Sequence, residues 1–179
     1  ELDADERKLY DLSWSEFCND TKSKQINKEN ALVARLRLRQ KTSNLKINYT
    51  VEQILDLLEN GQQVAVSIAF KDTMFNIQEK LNKKAISCSL IYGDQSAEEK
   101  ESERVKFQKG ENTVVLFTVE EAISLHQGEY NDVPRSMLIH DLRWSAISMS
   151  QIEGRTHRDG KFSQIYWLYF EDTIEYDIA

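Results

Sequence analysis

The chain has 179 residues, is 40% hydrophobic and 30% charged, and carries a formal net charge of −7. That length holds one domain comfortably, and the apolar content lies well clear of the disordered class, so the expected product is a soluble globular fold. The acidic balance excludes a wholly basic nucleic-acid binder but leaves room for a local basic groove; no apolar run approaches the roughly 18 residues that span a bilayer, so no membrane partner is expected. The N-terminus, Glu1-Leu2-Asp3-Ala4-Asp5-Glu6, has neither an initiator Met nor the apolar stretch of a signal peptide, as expected of a piece of a longer protein. Cys18 and Cys88 stand far apart with no neighbouring thiol. That spacing speaks against a disulfide framework or zinc ribbon and for a reducing, intracellular compartment, cytoplasmic or nuclear.

In chain order, Leu2, Leu9, Leu12, Trp14 and Phe17 sit among charges and predict a helix or helix and coil. The polar stretch 19–25 separates it from a second helix over 31–38, where Leu32 and Leu36 recur at helical spacing. Residues 1–30 are read as a helical or linker segment and 31–179 as the main domain. Thr50, with Gln53 three residues on, is a candidate capping box for a helix whose apolar face is Val51, Ile54, Leu55 and Leu58, stopped at Gly61. The apolar run 63–70 predicts a buried strand, and Asp72 or Thr73 is a candidate cap for the helix carrying Phe75, Ile77 and Leu81. A second strand is predicted over 86–92, a charged helix opened by Ser96 through Phe107, a turn over 109–112, and strands over 113–117 and 136–140. A helix over 146–151, an aromatic strand over 163–170 and a closing helix over 173–178 complete the series. Strand and helix alternating at this spacing predict βαβ crossovers and a mainly parallel sheet.

The chemistry concentrates in Gln151-Ile152-Glu153-Gly154-Arg155-Thr156-His157-Arg158. Two arginines three residues apart can clamp a terminal phosphate, because guanidinium stays charged and forms forked hydrogen bonds to phosphate oxygens. A glycine beside them lets a backbone approach closely. Read alone, the same residues are equally a helix end with solvated basic side chains.

This Q-x-x-G-R-x-x-R pattern resembles motif VI of superfamily 2 helicases. Ala122-Ile123-Ser124-Leu125-His126 and Leu142-Arg143-Trp144-Ser145 resemble the elements that precede it in strawberry-notch-like helicases and Swi/Snf-type remodellers, where Asp141 and Trp144 match a D-x-x-W. Residues 63–73 resemble motif IV, Tyr92-Gly93-Asp94-Gln95-Ser96 with Lys100 and Phe107 the segment after it, Leu38-Arg39-Gln40 the "LRQ" at the domain entrance, and Thr173-Ile174-Glu175 the end of the fold. The series is ordered and covers roughly residues 31–178. It departs from the pattern at 119–122, where Val119-Glu120-Glu121-Ala122 stands in place of a glycine pair, at Lys100, which replaces an arginine, and at Ser67, where Phe is common.

The resemblance implies a RecA-like α/β domain, the second motor lobe of an ATP-dependent DNA helicase or translocase. ATP and Mg2+ would be held mainly by the N-terminal RecA-like lobe of the same protein, since no GxxxxGK[ST] and no D-E-x-H occur here. It implies Arg155 and Arg158 as arginine fingers, Arg158 facing the γ-phosphate, with Gln151 orienting near the nucleotide and Gly154 and Ser124 beside it. Thr118 is the implied nucleic-acid contact, with Lys71, Thr73 and Trp144 as further candidates. DNA is the expected nucleic acid, gripped by its backbone. The alternative is a non-catalytic interaction module of helicase-like fold, which the altered 119–122 stretch would mark. His126, His140 and His157 lack metal-site spacing. His140-Asp141 is read as a structural pair, the aromatics Trp167, Tyr166 and Tyr169 as core, and Glu98 to Glu103 as a solvated helix face.

Overall fold

The computed structural model describes residues 1–22, 28–118, 123–157, 160–176 and 179. Its elements are α1 (Ala4–Lys22), α2 (Lys28–Leu45), α3 (Ile47–Glu59), β1 (Gln63–Ser67), α4 (Lys71–Asn82), β2 (Cys88–Ile91), α5 (Ala97–Lys109), β3 (Val114–Phe117), β4 (Arg135–Ile139), α6 (Ala146–Glu153) and β5 (Ser163–Trp167). The five strands form one parallel sheet in the order β2-β3-β1-β4-β5.

Alternation along the strands divides the core into two layers, because successive side chains leave opposite faces of a sheet. Val64, Val66, Val114, Leu116 and Leu138 face α3 and α4, meeting Ile54, Leu57, Met74, Ile77 and Leu81. Ala65, Val115, Phe117, Met137 and Ile139 face the other way, onto Phe107 of α5, Met149 and Ile152 of α6, and Ile123 and Leu125. A smaller cluster, Tyr10, Leu38 and Ile174, joins α1, α2 and the C-terminal segment.

Several predicted boundaries move for identifiable reasons. Thr50 is not a cap: α3 begins at Ile47, and the buried Thr50 hydroxyl is held by His140. Neither Asp72 nor Thr73 caps α4, which starts at Lys71 after Phe70. Ser96 does open α5, with a complete capping box to Glu99, and Gly110 at φ 81° closes it. Strands β1, β2 and β5 are shorter than the apolar runs that announced them. No helix forms over 173–176, where the chain makes turns. There the Thr173 hydroxyl donates to the Phe170 carbonyl and accepts from the Glu175 amide, while the Glu175 carboxylate is drawn inward onto Lys46. Residues 177–178 lie outside the described residues. β5 is an edge strand, so Trp167 and, just beyond it, Tyr169 are not core, at 42% and 40% exposed, while Tyr166 is half-buried and packs against the core on the α3-α4 side.

Candidate functional site

In an open parallel sheet the carboxyl edge is where the connections gather and where ligands bind. Here that edge carries, in spatial order, the loops after β2, β3, β1, β4 and β5. Behind it lies a buried polar network. Lys46, the residue before α3, places Nζ 2.5 Å from Glu175 Oε1 and 3.7 Å from Asp141 Oδ1 and donates to the carbonyls of His140 and Leu168. One ammonium therefore ties the ends of β4 and β5 to the C-terminal segment. Asp141 accepts from the Ala69 amide at 2.7 Å and from Ser43 Oγ at 3.1 Å, joining β4 to the loop after β1 and to α2. His140 is fully buried. Its Nε2 lies 3.0 Å from the Ser43 carbonyl, which can only accept, so the proton sits on Nε2 and Nδ1 accepts from Thr50 Oγ1 at 2.6 Å.

Burial dominates the electrostatics. It pushes the His140 pKa down to about 4, which keeps the ring neutral. Burial also opposes ionisation of Asp141, but His140, Lys46 and the hydrogen bonds from Ala69 and Ser43 outweigh it and hold the carboxyl below its usual range. For Glu175 burial prevails over Lys46, and its carboxyl lies above the usual range. The pair His140-Asp141 is structural, as its residues suggested.

The connection from β4 to α6 is held along its length. Arg143 donates to the Ile68 carbonyl at 3.0 Å, Arg39 of α2 donates to the Leu142 carbonyl at 2.6 Å, and the Arg35 guanidinium lies 5.4 Å from the centre of the Trp144 ring. Trp144 is 50% exposed under that cation. Ser145 caps α6 by accepting from the Ser148 amide.

At the far end of α6, Gln151 is exposed and Gly154 takes an ordinary right-handed helical conformation, φ −68°. Among the described residues a Cβ at Gly154 would meet only carbonyls of its own helix, at 3.5 and 3.8 Å, so none of them requires glycine there. Arg155 turns inward. It is 7% exposed, its Nη1 lies 3.5 Å from the Ile123 carbonyl, and its own carbonyl accepts from the Leu125 amide at 2.9 Å. The Ile123-Ser124-Leu125 stretch and the arginine segment are thus brought together by one side-chain-to-backbone and one backbone-to-backbone hydrogen bond. Arg158 lies outside the described residues, as does 119–122.

Ser124 is half-buried, with Oγ 2.5 Å from His126 Nδ1 and its carbonyl receiving Gln108 and Arg104. Thr118 is half-buried at the end of β3, where its amide donates to the Ile91 carbonyl. Lys71 stands at the same edge, paired with Asp94 and 4.6 Å from the Tyr92 ring centre; the hydrogen bond to Asp94 raises its pKa. Thr73 does not reach this surface. It is fully buried and its hydroxyl is shared with Ser43 and Asn44.

Lys46, Ser43, Arg39 and Glu175 are the residues whose roles sequence reasoning missed. Arg39 and Glu175 fall in stretches that resemble family segments, but no spacing ties a lysine at 46 to a glutamate at 175.

The family described as "Helicase conserved C-terminal domain" matches residues 46–160. A curated relative, the "SWI/SNF-related matrix-associated actin-dependent regulator of chromatin subfamily A-like protein 1" of Xenopus laevis, is 30% identical over 163 residues, covering 89% of this chain and 16% of the relative. The chain therefore spans about a sixth of that protein's length. Among solved structures, the Sulfolobus solfataricus SWI2/SNF2 ATPase C-terminal domain superposes with a TM-score of 0.64 at 15% identity, covering 92% of this chain and 74% of that one. The Sulfolobus solfataricus SWI2/SNF2 ATPase core in complex with dsDNA superposes with a TM-score of 0.71 at 17% identity, covering 94% of this chain and 39% of that one. With its five-stranded parallel sheet and RecA-like fold, the chain belongs to the helicase conserved C-terminal domain family.

Proposed function

We propose that this lobe completes the ATPase site of an ATP-dependent DNA translocase or helicase, its arginine segment meeting a nucleotide held by an upstream RecA-like lobe. The observation that carries the reading is the junction of the arginine segment with the Ile123-Ser124-Leu125 stretch through Arg155. It fixes the backbone at Arg155, three residues before Arg158 in the sequence. Arg158 is the γ-phosphate contact in this reading. Arg155, turned onto the Ile123 carbonyl in this structure, braces the segment and joins the phosphate only if its side chain swings outward. Gly154 and Gln151 offer an open backbone and an amide to the nucleotide-bearing face.

The residues present fit the outer end of a nucleotide rather than its whole. The segment supplies guanidinium and amide donors and a glycine with no side chain to obstruct approach. The nucleotide with its Mg2+ supplies the phosphoryl group to be transferred. This chain's part is to neutralise charge at that group, which in well-studied NTPases is worth about 10³ to 10⁵ in rate. Thr118, Lys71 and Trp144 line the carboxyl edge of the sheet and are proposed to meet nucleic-acid backbone. A relative described as a regulator of chromatin and a neighbour described as bound to dsDNA support DNA as that partner and an intracellular, nuclear setting.

The test compares the isolated chain with the chain joined to its upstream lobe. The isolated chain is expected to show no ATP turnover and the joined protein DNA-stimulated turnover. Turnover that titrates with the isolated chain in a clean preparation overturns the reading. A second reading, a non-catalytic interaction module, is favoured by the acids Glu120 and Glu121 in place of a glycine pair; a joined protein that binds DNA without hydrolysing ATP supports it.

A further inference from the structure

Arg35, Arg39 and Ser43 recur every fourth residue and so share one face of α2. All three touch the β4-α6 connection, in inverse order: Arg35 on Trp144, Arg39 on the Leu142 carbonyl, Ser43 on the Asp141 carboxylate. The first step is geometrically matched: the four helix residues from Arg35 to Arg39 rise about 6 Å, close to the roughly 6.6 Å that the two residues from Leu142 to Trp144 can cover when extended. At the second step Ser43 meets the side chain of Asp141, the residue before Leu142. The contacts are chemically varied, a ring, a carbonyl and a carboxylate, so the register does not slide without breaking all of them.

What the connection leads into gives the register a consequence. Ser145 caps α6, and α6 ends at the Gly154-Arg155 segment. An eight-residue helix is a rod about 12 Å long, which carries a displacement at its start to its end. Leu142, Met149 and Ile152 seat that rod in the core, so it has one packed position. On its other side α2 is joined to α1, through Lys41 to Glu16 at 2.6 Å and through the Tyr10, Leu38 and Ile174 cluster.

We infer that α2 is a strut that positions the arginine-bearing end of α6, with Arg39 as its principal positioning residue, so that the α1-α2 hairpin sets the catalytic competence of the lobe. This deepens the proposed function and rests on it. Arg39 touches neither nucleotide nor nucleic acid in this account. It acts by holding the Leu142 carbonyl, three residues before the α6 cap. A misplacement of about 1 Å at a reacting geometry can cost up to about 100-fold in rate, so a loosened strut is expected to lower turnover about tenfold.

The experiment uses the protein carrying both lobes, at saturating DNA, with Arg39→Ala, Arg39→Lys and Arg158→Ala. Arg39→Ala is expected to lower kcat about tenfold with KM for ATP within about twofold, because the upstream lobe binds the nucleotide. Arg39→Lys is expected to restore much of that loss, since an ammonium can donate to the same carbonyl. Amide exchange over residues 141–153 should quicken in Arg39→Ala while α3 and α4 keep their protection. Wild-type kcat in folded Arg39→Ala, or equal kcat for Ala and Lys, overturns the inference. If Arg39→Ala does not fold, Arg35→Ala removes only the outermost contact, and its failure to lower kcat or quicken exchange at 141–153 overturns it instead. Arg158→Ala separates the two levels. If it abolishes turnover while the α2 variants do nothing, the strut alone fails; if it leaves turnover intact, the reading beneath it fails too.

Discussion

Replacing Lys46 by Met keeps the length and apolar stem of the side chain but withdraws the ammonium that faces both Asp141 and Glu175. All three groups are buried: the side chains of Lys46, Asp141 and Glu175 are 2%, 2% and 6% exposed. Breaking a buried pair by removing one partner costs about 3 to 5 kcal/mol, because the charge left behind has lost both water and its counter-ion. Two carbonyls, those of His140 and Leu168, lose a donor as well. In a chain of this size 1 kcal/mol moves the melting midpoint by about 2 to 4 °C, so Lys46→Met should lower Tm by roughly 10 °C. Thermal unfolding followed by circular dichroism at neutral pH reads this directly. The double variant Lys46→Met/Glu175→Leu should recover several degrees, since it removes one of the two stranded carboxylates. A single variant within about 3 °C of wild type, or a double variant no more stable than the single, would refute the claim that this ammonium organises the carboxyl edge.

Stability should also fall on mild acidification. His140 has a folded-state pKa of about 4 against 6.5 for an ordinary histidine, so its contribution is complete above about pH 6.5 and is lost as pH falls through 4. That gap, at about 1.36 kcal/mol per pH unit, amounts to about 3 kcal/mol. Glu175 works in the opposite sense: its raised pKa contributes below the ordinary carboxylate range and is lost as pH rises. Glu175→Gln should therefore steepen the fall between pH 6.5 and 4, and denaturant melts that are flat across this window in both proteins contradict the assignment of a buried neutral ring. Gly154→Ala separates fold from function. The backbone there accepts an L side chain, so the isolated lobe should gain about 0.4 to 1 kcal/mol, while the joined protein loses ATP turnover at least about tenfold if a nucleotide must approach that backbone. Unchanged turnover would show that no such approach occurs.

The architecture was legible wherever a local signal and burial agreed. The apolar runs at 63–70 and 113–117 contain β1 and β3, two of the three strands with neighbours on both sides, and Ser96 with Glu99 carries its own cap. The misreadings came where a tertiary partner captured a residue whose local habit lay elsewhere. Thr50 and Thr73 look like caps but spend their hydroxyls on His140, Ser43 and Asn44. The segment 173–176 has helical residues, yet Glu175 is held by Lys46 and the backbone turns to allow it. Arg135 falls outside the strand predicted over 136–140, but it opens β4 and is 1% exposed, over the Phe107 ring and hydrogen-bonded to Gln108; burial lowers its pKa to about 10. In the candidate site the orientation of Arg155 was not readable. Nothing in the sequence around Arg155 tells that its guanidinium turns inward, because that depends on the carbonyl of Ile123, thirty-two positions away. The grip of α2 on the β4-α6 connection is likewise a fact of packing, invisible until the helix is laid beside the loop.

The most direct test is the steady-state kcat for DNA-stimulated ATP hydrolysis by the two-lobed protein, wild type against Arg158→Ala, with the melting midpoint of each measured alongside. A fall of at least about 100-fold at an unchanged midpoint is the predicted result. Equal rates in two equally folded proteins would mean that this lobe lends no guanidinium to the phosphate.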